Sequence, residues 1–245
     1  MNIYILTVDE PLYTAETFRV ILEKYRSNIV GVSFPSGDIS PKRIITTLKI
    51  WGVGRFVKLI CYYLLTTVSG GKIHNLFKKN KIDTYPVSNI NSKAFLDKLR
   101  NLKVDLVISL NCPQLLKRDI LELPKYGCVN AHFGMLPEYR GILPVFYAIV
   151  NREKEFGVTL HFMDEQIDNG PIIIQKAIQI RERDDLFSLY PVAFKAAGEL
   201  LVEAIDLISR QDLKLKYNDP KKKSYYSYPG NDTITKYKQL VKAKL

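Results

Sequence analysis

Short apolar runs recur along this chain with helix-length stretches between them, and that alternation restricts the fold more than any other feature. The runs fall at residues 3–8, 28–34, 84–87, 104–110, 128–131, 158–162 and 172–180, with the length and composition of buried strands. Helical patterns occupy residues 14–25, 41–68, 73–80, 92–102 and 145–151. A longer helix starts at Asp184, which reads as its cap, and runs to about residue 210, with Pro191 placed where it can kink it. Strands alternating with helices give an α/β fold, a mainly parallel twisted sheet flanked by helices. Breaks are expected at the turn Pro35-Ser36-Gly37-Asp38, at Gly52 and Gly54, and at Gly70-Gly71. Residues 1–210 read as one domain. Residues 211–245 read as a small appendage rich in Lys, Tyr, Asn and Pro, in which residues 224–230 resemble a hairpin or a docking strand.

The opening stretch has no basic segment before its apolar run and meets Asp9, Glu10 and Pro11 at once. It therefore reads as a strand and not a signal peptide, which sets a cytoplasmic expectation. Residues 56–68 are apolar but too few to span a bilayer and include Lys58; a core-facing helix is the expectation, without membrane insertion. Cys61, Cys112 and Cys128 have no metal-ligand spacing, so buried free thiols are expected and no metal. The formal charge is +11, and residues 211–245 hold nine lysines against Asp212, Asp219 and Asp232. Such a tail can meet a nucleotide's diphosphate, an RNA backbone or only solvent.

Three histidines can be weighed singly. His74 lies in a Lys-rich helical pattern and reads as a surface residue, and His161 as a strand side chain with a hydrogen-bond partner. His132 ends a short strand in which Asn130 stands two residues earlier, so an amide and an imidazole share one face of an extended segment. Gly134 and Pro137 then turn the chain, and Tyr139, Arg140 and Gly141 follow on the same rim. A second candidate is the acidic loop of Asp164, Glu165, Gln166, Ile167 and Asp168, punctuated by Gly170 and Pro171 before the next strand. Read separately, each of these could be a tied-down or solvated loop.

Together, Asn130-x-His132, Leu136-Pro137-x-Tyr139-x-Gly141 and Asp168-x-Gly170-Pro171-Ile172 resemble the signature of the formyltetrahydrofolate-dependent transferases. That family includes glycinamide ribonucleotide transformylases, methionyl-tRNA formyltransferases and nucleotide-sugar N-formyltransferases. Gly134 departs from the pattern, since relatives often carry Ser there. The resemblance implies a Rossmann-like formyltransferase fold and catalytic roles for Asn130, His132 and Asp168. It implies N10-formyltetrahydrofolate as cosubstrate, held near Leu110, Asn111, Cys112, Gln114, Met135, Leu136, Asp164, Gln166, Ile167 and Gly170. No nucleophilic Ser or Cys is needed, because the acceptor amine attacks.

The resemblance leaves the acceptor open. Methionyl-tRNA enzymes carry a further β-barrel domain, for which residues 211–245 are too few, and the ribonucleotide enzymes carry a glycine-rich turn that Thr7-Val8-Asp9-Glu10-Pro11 lacks. The tail with Tyr225, Tyr226 and Tyr228 looks like that of sugar N-formyltransferases acting on nucleotide-linked amino sugars, such as dTDP-4-amino-4,6-dideoxyglucose, in cell-surface polysaccharide synthesis. Tyr139, Arg140 and Gly141 are the other expected substrate contacts. A homodimer without a stable nucleic-acid partner is expected, the tail serving either the nucleotide or the dimer interface. Formyltetrahydrofolate hydrolysis, a folate-binding regulator, and a basic RNA- or membrane-binding protein on the same fold remain alternatives.

Overall fold

A computed structural model describes residues 1–10, 12–37, 41–68 and 73–242. In chain order the elements are β1 (Ile3–Thr7), α1 (Thr14–Tyr25), β2 (Ile29–Ser33), α2 (Pro41–Trp51), α3 (Val53–Val68), α4 (Ile73–Lys79) and β3 (Thr84–Tyr85). Then come α5 (Lys93–Asn101), β4 (Leu106–Leu110), α6 (Arg118–Leu121), β5 (Cys128–His132), β6 (Arg140–Gly141), α7 (Pro144–Val150) and β7 (Glu155–Phe162). The chain closes with β8 (Ile172–Gln179), α8 (Leu186–Arg210), β9 (Tyr225–Tyr226) and α9 (Asn231–Lys242).

Seven strands form one sheet in the order β3-β2-β1-β4-β5-β7-β8. The first five are mutually parallel, as the alternation with helices requires, while β7 turns back antiparallel on β5 and β8 on β7. Both faces are covered. Ile3 and Ile5 of β1 belong to the core shared with α1, α7 and α8, and Tyr4 and Leu6 to the core shared with α5 and Ile120. A strand buried on both sides has no polar face, which is why β1 and β4 read as continuous apolar runs.

Several expectations need correction. The N-cap of α8 is Asp185, not Asp184: its carboxylate accepts from the Phe187 and Ser188 amides, while the Ser188 hydroxyl accepts from the Asp185 amide. Asp184 lies one residue too early for that geometry and accepts from Arg181 N instead. The helix continues through Pro191. Between α2 and α3 the break is Gly52 alone, at φ +73, and Gly54 lies inside α3. Asp38 and Gly70-Gly71 lie outside the described residues.

Helix α3 does not face the core. Val57, Ile60, Leu64, Leu65 and Val68 are all exposed, because α2 is its chief packing partner and covers one side only. Cys61 is exposed, Cys112 half-buried and Cys128 buried, so one of three thiols is where it was expected. His74 is part-buried, its backbone amide donating to Asp9 and Nδ1 lying 3.2 Å from Thr84 Oγ1. The tail contributes β9, paired in parallel with β6, and α9, whose Ile234 and Tyr237 enter the main core.

Candidate active site

The parallel strands β1, β2, β4 and β5 all end on one edge of the sheet, the edge at which open α/β sheets take ligands. Strand β5 brings Asn130 and His132 there on one face. Register then adds a residue that the sequence reading left as an ordinary strand side chain: β7 pairs antiparallel with β5 so that Asn130 lies opposite His161. The missed signal was periodic. Thr159 and His161 follow Glu155 and Gly157 on the one non-apolar face of a strand whose other face is Phe156, Val158, Leu160 and Phe162.

Asp168, in the loop between β7 and β8, sits between the two imidazoles. Its Oδ2 is 3.5 Å from His132 Nδ1 and its Oδ1 is 3.6 Å from His161 Nε2. The Gly141 amide donates to Oδ2 at 2.8 Å. The far nitrogens fix the tautomers. His132 Nε2 is 2.8 Å from the Tyr139 carbonyl and His161 Nδ1 is 2.8 Å from the Phe162 carbonyl. A carbonyl oxygen only accepts, so each of these nitrogens carries a hydrogen. In the neutral rings the lone pairs therefore lie on His132 Nδ1 and His161 Nε2. The latter accepts from Asn130 Nδ2 at 3.3 Å, which fixes the amide orientation and leaves the second Nδ2 hydrogen for another acceptor.

Burial pushes the Asp168 carboxyl up, but the positive charge that His132 carries when protonated, the neighbouring His161 ring and the Gly141 amide outweigh it and bring it down to about 2. For His132, burial favours the neutral ring and lowers its pKa, opposed by Asp168 and by the Tyr139 carbonyl. The arrangement thus supplies a persistent carboxylate beside an imidazole that is ready to accept a proton. Asn130, less buried than either ring, is the member open towards solvent.

Backbone strain collects on the same edge. Asn111, Tyr139, Leu143 and Asp168 all have φ between 47 and 58, in the left-handed region that non-glycine residues enter at a cost. These residues terminate β4, shape the loops around β6 and aim the Asp168 carboxylate.

The expected cosubstrate contacts surround this centre. Leu110 ends β4 fully buried, Leu136 is buried, and Met135 and Cys112 are half-buried. Burial pushes the Cys112 thiol up to about 11 and the Cys128 thiol up to about 12, so neither is an activated nucleophile. The Gln114 amide is committed to the scaffold: it accepts from Ile90 N and donates to Ser36 O and Ser88 O. Asp164 accepts from Gln166 N and Asn169 Nδ2, and Gly170 packs so closely that a Cβ would lie 1.9 Å from Phe162 O. Ile167 and its loop partner Gln166 are exposed. A cleft of about 500 Å³ lined by Arg118, Leu121, Met163, Asp164 and Gln166 lies alongside. Among the described residues no group of three or more His, Cys, Asp or Glu side chains could hold a metal ion.

The expected substrate contacts divide. Tyr226 is packed between Tyr139, at 5.3 Å between ring centroids, and Tyr147, at 4.3 Å. Tyr139 also donates its hydroxyl to Glu153, so these two rings build the scaffold. Tyr225 is 55% exposed. Arg140 donates to the Ile167 carbonyl, and Lys223 donates to Asn169 Oδ1 at 2.6 Å. Both cations flank Asp168 with neutral partners. Tyr228 is half-buried and less directly placed.

A family model described as formyl transferase matches residues 70–205, more than half of the chain, and the chain belongs to that family. A methionyl-tRNA formyltransferase of Kosmotoga olearia is 32% identical over 221 residues, covering 90% of this chain and 64% of its own length. The curated relatives it matches are longer, and the chain spans from about half to just under two thirds of the first of them. Among solved structures, the N-formyltransferase of Helicobacter canadensis in complex with folinic acid and dTDP-3-aminofucose aligns with TM-score 0.64 and 18% identity, over 98% of this chain and 80% of that one. Glycinamide ribonucleotide transformylase 1 of Symbiobacterium toebii aligns with TM-score 0.64 and 19% identity, over 89% and 95%. At these identities the likeness is one of fold.

Proposed function

We propose that the chain is an N-formyltransferase that moves a formyl group from N10-formyltetrahydrofolate to the primary amine of a nucleoside-diphosphate-linked amino sugar, of the dTDP-4-amino-4,6-dideoxyglucose type. The observation that carries the reaction class is Asp168 bridging His132 and His161, with the Asn130 amide fixed beside them. The formyl donor supplies the reacting carbon. Asn130 donates its second amide hydrogen to the carbonyl oxygen as charge develops there, a contribution of about 3 kcal/mol for one preorganised donor. His132 takes the acceptor's proton at Nδ1, the nitrogen with the free lone pair, and the imidazolium so formed is held by Asp168. The proton returns to the departing nitrogen, so the site ends as it began.

The protein's own groups fit such a donor. A pterin is a flat ring with an amide-like edge, and the loops after β4 and before β8 offer exposed Leu115 and Ile167 next to accessible backbone at 111–114 and 164–167. For the acceptor, Arg140 and Lys223 hydrogen-bond only neutral oxygens at the rim among the described residues, which leaves their charge for a diphosphate. Tyr225 leaves a ring face open for the base. The ribonucleotide alternative meets an obstacle: the N-terminus of α1, the natural phosphate site after the first strand, is filled by the Glu10 carboxylate, which accepts from Leu12 N, Tyr13 N and Thr14 N. The structural relative whose bound ligands are folinic acid and dTDP-3-aminofucose supports the same class of acceptor.

The test is to incubate the protein with N10-formyltetrahydrofolate and a panel of amino-sugar nucleotides and to follow the gain of one CO unit by mass spectrometry. Methionyl-tRNA and glycinamide ribonucleotide serve as rival acceptors. Transfer to either of these and to no sugar overturns the acceptor assignment, and folate turnover without any acceptor points to hydrolysis.

A further inference from the structure

Helices α2 and α3 lie between β2 and β3 and carry an apolar face that the fold does not use. Val53, Val57, Ile60, Leu64 and Val68 follow one another at steps of four, three, four and four residues, which places them on one stripe of α3. Their exposures are 70%, 51%, 44%, 56% and 88%. Leu65, beside the stripe, is 69% exposed, and Ile44 and Ile45 of α2 are 46% and 48% exposed. Buried large residues with this spacing would make an ordinary core helix. Exposed ones make a contiguous apolar surface, which a protein leaves in water only where something covers it.

We infer that the α2–α3 face docks on the surface of an anionic lipid bilayer. Charge selects this occupant. Residues 41–68 contain Lys42, Arg43, Lys49, Arg55 and Lys58 and not one Asp or Glu. A second copy would bring a segment of the same composition, with five basic residues and no acid to pair them. An anionic headgroup layer instead supplies the missing negative charge while its acyl region takes up the apolar stripe. Length agrees with lying on the surface. Helix α3 has 16 residues, below the roughly 20 needed to span, and no described helix is long and apolar enough to cross a membrane. The body of the domain stays fixed behind it, since Trp51 at the end of α2 packs edge-on against Phe187 at 4.2 Å.

The experiment is sedimentation of the full chain with vesicles of phosphatidylcholine alone and of phosphatidylcholine with 30% phosphatidylglycerol. The expected result is binding to the anionic vesicles only, reduced at least tenfold by 0.5 M salt. The double substitution Val57→Asp with Leu64→Asp should reduce it at least tenfold as well. Val192→Asp, at a 50% exposed apolar position on α8, is the control and should leave binding unchanged, as both variants should leave formyl transfer in detergent-free solution. Absence of binding by the unaltered chain overturns the inference, as does equal loss in the Val192 control. A dimer that the Val57 and Leu64 changes convert to a monomer, without lipid binding, overturns it too and gives the face to a second copy.

Discussion

Gly141 and Tyr226 meet so closely that a Cβ on Gly141 would lie 2.2 Å from the Tyr226 carbonyl oxygen, while the Gly141 amide holds Asp168 at 2.8 Å. One backbone position thus joins the C-terminal strand β9 to the carboxylate of the candidate site. The residue also has φ +95, where a side chain is strained whatever the space. Gly141→Ala should therefore separate β9 from β6 and remove one donor from Asp168 together. The expected outcome is a loss of about 2 kcal/mol of stability and at least a tenfold fall in kcat, read by thermal denaturation and formyl-transfer assay. A variant with native stability and native turnover would show that the tail and the carboxylate are not coupled.

Asp168 carries a sign that can be checked by pH. Its carboxyl is held at about 2 against an ordinary 3.8. A lowered folded-state value means that the stabilisation is fully present above the ordinary value and disappears as pH falls towards the folded one. The window is thus from about pH 4 down to about 2, and the amount is about 2 kcal/mol. Asp168→Asn should flatten this part of the stability profile, and its kcat should fall by about 10² or more. Melting curves of both proteins between about pH 5 and about pH 2 decide it: parallel decline would mean that other carboxylates govern acid unfolding.

His132 makes a different kinetic prediction. Burial favours its neutral form, so the base stays competent as pH falls past 6.5, the ordinary histidine value. The acid limb of kcat/KM, corrected for titration of the acceptor amine, should lie below that value, and His132→Ala should lower the rate by about 10²–10⁴. An acid limb above 6.5 that vanishes in the variant would assign the ring the opposite direction of shift.

The strand positions of β1 and β4 were legible because a strand covered on both faces must be apolar throughout. Asn130, His132 and Asp168 were legible as a set through the residues around them, and the structure brings them together. His161 was not, since its approach to Asp168 depends on the antiparallel register of β7 against β5, which local sequence does not encode. The same limit hid the exposure of α3. An apolar stripe at helical spacing gives the same sequence pattern whether it meets a core or solvent, and only tertiary placement separates the two. Tyr226 and Tyr139 illustrate a third case: aromatic residues near a site were read as ligand contacts, yet these two rings stack on each other and hold the tail.

Gly134 turns a departure from the family pattern into a measurable requirement. A Cβ there would lie 2.7 Å from His132 Nε2 and 2.8 Å from the Tyr139 carbonyl, the two atoms whose hydrogen bond fixes the ring's tautomer. Serine, which the family resemblance gives for this place, could be accepted here only if the ring or the 139–141 loop shifted. Gly134→Ser should then weaken the Nε2 bond, loosen the imidazole against Asp168 and lower kcat by about tenfold, a typical cost of misplacing a catalytic group. The acid limb of the pH profile should move because the Tyr139 carbonyl no longer holds the ring. If kcat and the pH profile both stay as in the unaltered chain, the Tyr139 contact does not govern the ring, and the assignment of the proton-accepting nitrogen to Nδ1 loses its basis.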